Sequence, residues 1–166
     1  MKIDLRGNNL IVFLNKSNVS DIDFFNRSEL EDYFRKLFLK FNNDYDINMN
    51  GSYNIDVYID DSYGIVLEIV KEDVEYFDYC DVVDMKITVS KYKNFLYKLN
   101  GYLNNFDNCD LYLYDGFFYI SPHNIDFYSL GILIENSEII YGKKCFDIMS
   151  KSKIIKCSDI CCLERV

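Results

Sequence analysis

At 166 residues, 49% hydrophobic and 27% charged, the chain is long enough for a core that needs no staples, and its composition excludes disordered and fibrous classes. A formal net charge of −9 excludes a phosphate backbone as the main partner, because nucleic-acid affinity comes largely from Lys and Arg displacing counterions. An anionic membrane surface is disfavoured on the same ground.

The first residues, MKIDLRGNNLIVFLNK, hold two strand-like runs, 2–6 and 10–14, around a GNN turn and predict a β-hairpin. Asp4 and Arg6 interrupt any uncharged run of signal-peptide kind, and no stretch approaches the ~18 apolar residues of a membrane span. A cytoplasmic protein is therefore expected. Six cysteines without an export signal are expected to be reduced thiols, and the C-x3-C-C group of Cys157, Cys161 and Cys162 lacks the four supportively spaced ligands of a closed zinc site.

A helix is predicted from Ser28, with Ser28 as N-cap and Glu31 completing a capping box. Leu30, Tyr33, Phe34, Leu37, Phe38 and Phe41 fall on one face of it. Residues 52–72 then read as a hairpin joined around DDSYG, with Tyr53, Ile55, Val57 and Ile59 on one side and Asn54, Asp56 and Tyr58 on the other. The acids Asp60 and Asp61 are ordinary turn residues in this reading. Residues 72–84 form an acidic connection.

The order then repeats in the prediction: a strand at 84–90, and a helix over 92–104 with Ser90 as its cap and Tyr92, Phe95, Leu96, Leu99 and Leu103 inward. LYLYDGFFYIS follows as a hairpin whose Asp115-Gly116 pair occupies a type I′ turn. A helix across IDFYSLGILIEN is expected to turn Phe127, Leu130, Leu133 and Ile134 inward, despite the cost of Gly131. A short element near Cys145–Met149 and a strand at 153–156 complete the chain.

The predicted class is α+β: two small modules, each an antiparallel sheet of β-α-β-β order with a helix on one face. Their bounds are 1–71 and 85–156, with the connection at 72–84 between them and a cysteine-containing tail at 157–166.

Nucleophilic catalysis needs a base beside its nucleophile, and the single histidine, His123, has no nucleophile elbow near it and reads as a loop residue. No glycine-rich phosphate cradle occurs. Catalytic, cofactor-binding and metal-ligating residues are accordingly assigned to none. The fifteen Tyr and thirteen Phe lie mostly at core spacing. Only on the 111–121 hairpin are both faces aromatic or apolar, which points to a protein contact.

The order of these segments resembles the MecA adaptor family of bacterial proteolysis. MKIDLRGNNLIVFLNKSNVSDIDF, RSELEDYFRKLF and YNIDVYIDDSYGIVLEI are similar to its first domain, and DLYLYDGFFYI, SLGILIENSEIIYGKK and IMSKSKIIK to its second. The resemblance implies a non-enzymatic adaptor whose first module captures client proteins and whose second docks on a Clp-family ATPase. Tyr114, Phe117, Tyr119, Glu135, Glu138 and Tyr141 are the docking residues it nominates. A homodimer is compatible with it. The alternatives are a structural or regulatory interaction module with no unfoldase partner, and a small carboxylate-dependent enzyme.

Overall fold

The computed structural model describes residues 1–7, 9–20, 22–72, 83–90, 94–101 and 108–155, and the 157–166 tail and most of the acidic connection lie outside that set. The chain divides into two units, residues 1–58 with 64–90 and residues 59–63 with 91–166. Each holds a five-stranded sheet, which establishes the α+β class with two sheet modules.

In the first unit, β1 (Lys2–Arg6) and β2 (Asn9–Asn15) form the expected opening hairpin. Helix α1 spans Arg27–Tyr45. Its N-cap is Asn26 and not Ser28: the Asn26 side chain accepts from the Glu29 N–H and donates back to the Glu29 carboxylate. The capping pair thus keeps its three-residue spacing but begins two residues earlier. Leu30, Phe34, Leu37, Phe38 and Phe41 are buried, as their periodicity predicts.

Strands β3 (Gly51–Asp60) and β4 (Gly64–Glu72) alternate as read, with Tyr53, Ile55 and Val57 buried. The Phe38 ring meets Tyr53 edge-on at 5.3 Å, placing α1 on that face. Opposite it, the Tyr58 hydroxyl donates to Glu68 and the Asn54 amide to Glu72. Strand β5 (Val83–Val89) corrects the predicted layout: it pairs in parallel with β3, Tyr53 beside Met85, and closes the first sheet in the order β1-β2-β4-β3-β5. The run at 84–90 was expected to open the second module, but apolar alternation identifies a strand without naming its neighbour.

The second unit departs further. Residues 92–104 do not form a helix across their described part; Leu96–Leu99 is strand β6. Leu96 and Tyr97 are adjacent and both fully buried, which a strand with two covered faces achieves and a one-faced helix does not. Ser90, read as a helix cap, instead donates its N–H to Val57 O beyond the end of β5. Tyr92 and Leu103 lie outside the described residues.

Strands β7 (Cys109–Tyr114) and β8 (Phe117–Pro122) form the predicted hairpin, with Asp115 at φ 50° and Gly116 at φ 75°. Both central residues are left-handed, as a type I′ turn requires. Helix α2 (Phe127–Glu135) is capped by Asp126, whose carboxylate accepts from Tyr128 N and Ser129 N. Leu130 and Leu133 are buried, but Phe127 points outward at 79% exposure and Ile134 is half-buried, because only the helix's later turns meet the rest of the unit. Strand β9 (Ser137–Ile140), helix α3 (Gly142–Lys151) and strand β10 (Lys153–Ile155) follow. The sheet order is β10-β7-β8-β6-β9, so the strand-helix-hairpin order of the first half does not recur. No described helix is long and apolar enough to cross a membrane.

Two backbone positions give a direct test. Gly64 sits at φ 129°, and a Cβ there would fall 2.4 Å from Leu14 O and 2.6 Å from Lys16 N, so β2 and β4 pair at that point only over a bare Cα. Gly131, inside α2, has open space around it. Gly64→Ala is expected to cost about 2–4 kcal/mol, from strain and a backbone clash that nothing can relieve cheaply. Gly131→Ala should add about 0.5–1 kcal/mol, measured for both as shifts in urea midpoint.

A second test concerns Tyr97. Its ring is buried and its hydroxyl has no hydrogen-bond partner among the described residues. Burial raises its phenol pKa strongly, with Asp60 and Tyr63 adding to the shift. A buried hydroxyl without a partner costs about 1–3 kcal/mol. Tyr97→Phe keeps the ring and should therefore raise the urea midpoint, and a clear fall would show that the hydroxyl is satisfied in solution.

Candidate functional site

The second sheet brings most of the nominated docking residues onto one face. Register places Tyr112 of β7 opposite Tyr119 of β8, Tyr119 opposite Lys98 of β6, and Lys98 opposite Glu138 of β9. Side chains directly across a ladder share a face, so these four form a row running over four strands. Tyr114 and Phe117 face one another two residues along, beside the Asp115-Gly116 turn. Four of the six residues named from sequence, Tyr114, Phe117, Tyr119 and Glu138, are thereby assembled.

Helix α3 covers part of this face. Cys145 and Ile148 pack with Leu96, Tyr112, Tyr119 and Ile140, and Tyr114 and Met149 border that cluster. Tyr119 is consequently core, 5% exposed, and its ring supports the patch without presenting itself. Burial pushes the Cys145 thiol up to about 12, with Asp60 adding to the shift, so this cysteine is a packing residue and not a reactive one. The Tyr119 phenol is also raised, first by burial and then by Asp115, Glu138 and Tyr114.

Toward the turn the face opens. Phe117 is 46% exposed, and the Lys98 ammonium sits 3.8 Å from its ring centroid. An ammonium over a ring face is attracted by the ring quadrupole, and here Glu138 stands across the ladder from the same lysine. Phe117, Lys98 and Glu138 thus form one amphipathic patch: an exposed ring, a cation held over it, and an acid beyond. The sequence reading missed Lys98 because it placed 92–104 on a helix. Had the run been read as a strand, the cross-strand rule would have brought lysine, ring and acid together.

The other two nominated residues stand apart. Glu135 closes α2, and Tyr141 precedes α3 with its ring 6.2 Å from Phe95. Neither belongs to the row. His123, read as a loop residue, does follow β8 in a bend, where its N–H donates to Asn108 O.

Comparison of the chain with family models, curated proteins and solved structures gave no match.

The Lys98–Phe117 contact is measurable on its own. A double-mutant cycle with Lys98→Gln and Phe117→Leu is expected to give a coupling of about 0.5–1 kcal/mol, the range for a solvent-accessible cation and ring. Urea unfolding of the four proteins reads it, and a coupling indistinguishable from zero would mean the lysine does not stay over the ring.

Proposed function

We propose that this protein is a non-enzymatic adaptor, resembling the MecA family in the order of its segments, that links client proteins to a Clp-family ATPase. The observation that carries the reading is the Phe117–Lys98–Glu138 patch. It sets an accessible aromatic ring, of a type enriched at interface cores, beside charges of both signs that suit a polar rim. Its place on the second unit agrees with the half of the chain to which the resemblance assigns ATPase docking. Two further exposed rings on the same unit, Phe127 and Tyr128 at 79% and 77%, enlarge the surface open to a partner.

An adaptor acts by raising the local concentration of its client at the machine, so it needs two binding surfaces and no chemistry of its own. The first unit supplies a separate sheet and helix for the client side.

The test is direct binding of the purified chain to a purified Clp-family ATPase in the presence of ATP, followed by size-exclusion chromatography and ATPase assay. Phe117→Ala and Glu138→Lys should each weaken binding by ~10-fold or more, as truncation or charge reversal at a hot spot does, with thermal midpoints little changed. If the wild-type chain neither co-elutes with the ATPase nor alters its turnover, the adaptor reading is lost.

A further inference from the structure

Asp110 and Ser121 stand directly opposite one another on β7 and β8, on the face shared with Tyr112 and Tyr119. Two residues beyond Ser121, His123 returns its ring to the start of β7, with Nε2 2.8 Å from Asp110 Oδ2. A carboxylate only accepts, so Nε2 carries the proton of that bond. Asp60 and Asp61, in the same unit, line the other side together with Asn94, enclosing a cleft of about 310 Å³. That volume is at the small end of the ~300–1,000 Å³ typical of ligand clefts.

Three features of the cleft define its guest. Its described lining holds three carboxylates and one imidazole, and neither Lys nor Arg, so its field favours a cation and repels an anion. Ser121 is only 8% exposed, lines the cleft, and its hydroxyl has no hydrogen-bond partner among the described residues. With no partner among them and the cleft in front of it, that hydroxyl is an oxygen open to a bound group. Finally, the carboxylates differ in availability. Asp60 already accepts the N–H groups of Ser62, Tyr63 and Phe95, which makes it structural, whereas Asp110 commits Oδ2 to the imidazole and keeps a second oxygen.

We propose that this cleft binds a primary alkylammonium group, with Asp110 and Ser121 as its acceptors. An ammonium brings three donors and no acceptor, which suits one carboxylate oxygen and one hydroxyl oxygen on adjacent strands. A guanidinium is the poorer guest, because its planar fork seeks both oxygens of one carboxylate and Asp110 has one engaged. Among the described residues no group of three His, Cys, Asp or Glu is placed to hold a metal ion, which leaves the organic cation as the better match. The ammonium belongs either to a small free amine or to a lysine side chain of a polypeptide. The proposal stands apart from the adaptor reading, since the cleft and the Phe117 patch use different residues.

His123 is the chain's only histidine, so its imidazole gives a single, assigned reporter in nitrogen–proton correlation spectra. The intact chain is titrated at fixed ionic strength with 1,5-diaminopentane, with Nα-acetyl-lysine amide, with methylguanidinium and with neutral 1-pentanol. Saturable imidazole shifts are expected with both amines, a weaker response with methylguanidinium and none with pentanol. Asp110→Asn should weaken amine binding ~10-fold or more, and Ser121→Ala about threefold, with circular dichroism melts like wild type. Should Asp110→Asn fail to fold, Ser121→Ala with the ligand series carries the test. Tighter binding of the lysine amide assigns the guest to a polypeptide, and tighter binding of the diamine assigns it to a free amine. No saturable shift with either amine, or an equal response to pentanol or methylguanidinium, overturns the proposal.

Discussion

Both faces of the second sheet are buried at its centre, and most of that unit follows from this constraint. Leu111 and Tyr112, Leu96 and Tyr97, Tyr119 and Ile120 are neighbours in sequence that point to opposite sides, and none is more than 5% exposed. A strand buried on two sides must be apolar at every position, so its sequence loses the alternation that marks a half-exposed strand. Burial on both sides also forces polar atoms into two fates. They are pushed to the rim, as Lys98 and Glu138 are, or they remain inside without a partner, as the Tyr97 hydroxyl does.

The same constraint explains where sequence and structure agree and where they part. The Asp115-Gly116 turn was legible because type I′ geometry requires two left-handed residues, and few dipeptides accept that. Helix α1 was legible because five buried side chains recur at helical spacing from Leu30 to Phe41, with a capping pair just before them to mark the start. Residues 95–99 were not, since Tyr92, Phe95, Leu96, Leu99 and Leu103 fit a helical face while Phe95, Leu96 and Tyr97 equally form the continuous apolar run of a strand covered on both sides. The choice was made by β8 and β9 on either side, which supply the ladder for β6. β5 illustrates a different limit: its own alternation is clear, but its parallel neighbour β3 lies more than twenty residues back, and pairing across that distance leaves no local mark.

The two proposed surfaces divide in the same way. Tyr114, Phe117 and Tyr119 were visible as a cluster because one hairpin carries all three, while Lys98 and Glu138 joined them only through cross-strand register. Tyr119 illustrates how much burial matters: on the same face as Phe117 and two residues away, it belongs to the cluster beneath α3 and not to the open patch. Asp110 and His123 are thirteen residues apart and meet because β7 and β8 form a hairpin that returns the chain to its starting level. A lone histidine in a loop carries no signal by itself, and its meaning comes from the carboxylate that the ladder places beside it.

The two surfaces also obey different electrostatics, which bears on what each can recognise. At the patch, lysine and glutamate of opposite sign flank an exposed ring, so the local field is mixed and contact area decides the strength of binding. In the cleft, acids outnumber the single imidazole and Ser121 offers a hydroxyl that no described residue engages, so charge and hydrogen-bond geometry decide it instead. Added salt screens exposed charges over a length of about 10 Å at 0.1 M, so the charge-led approach to the cleft depends on salt more than apolar contact at the patch does. One small sheet thus carries, near its turn, a surface suited to broad apolar contact and, at its opposite end, a polar recess suited to a single cation. Both arise from the β7–β8 hairpin, whose strands are each six residues long.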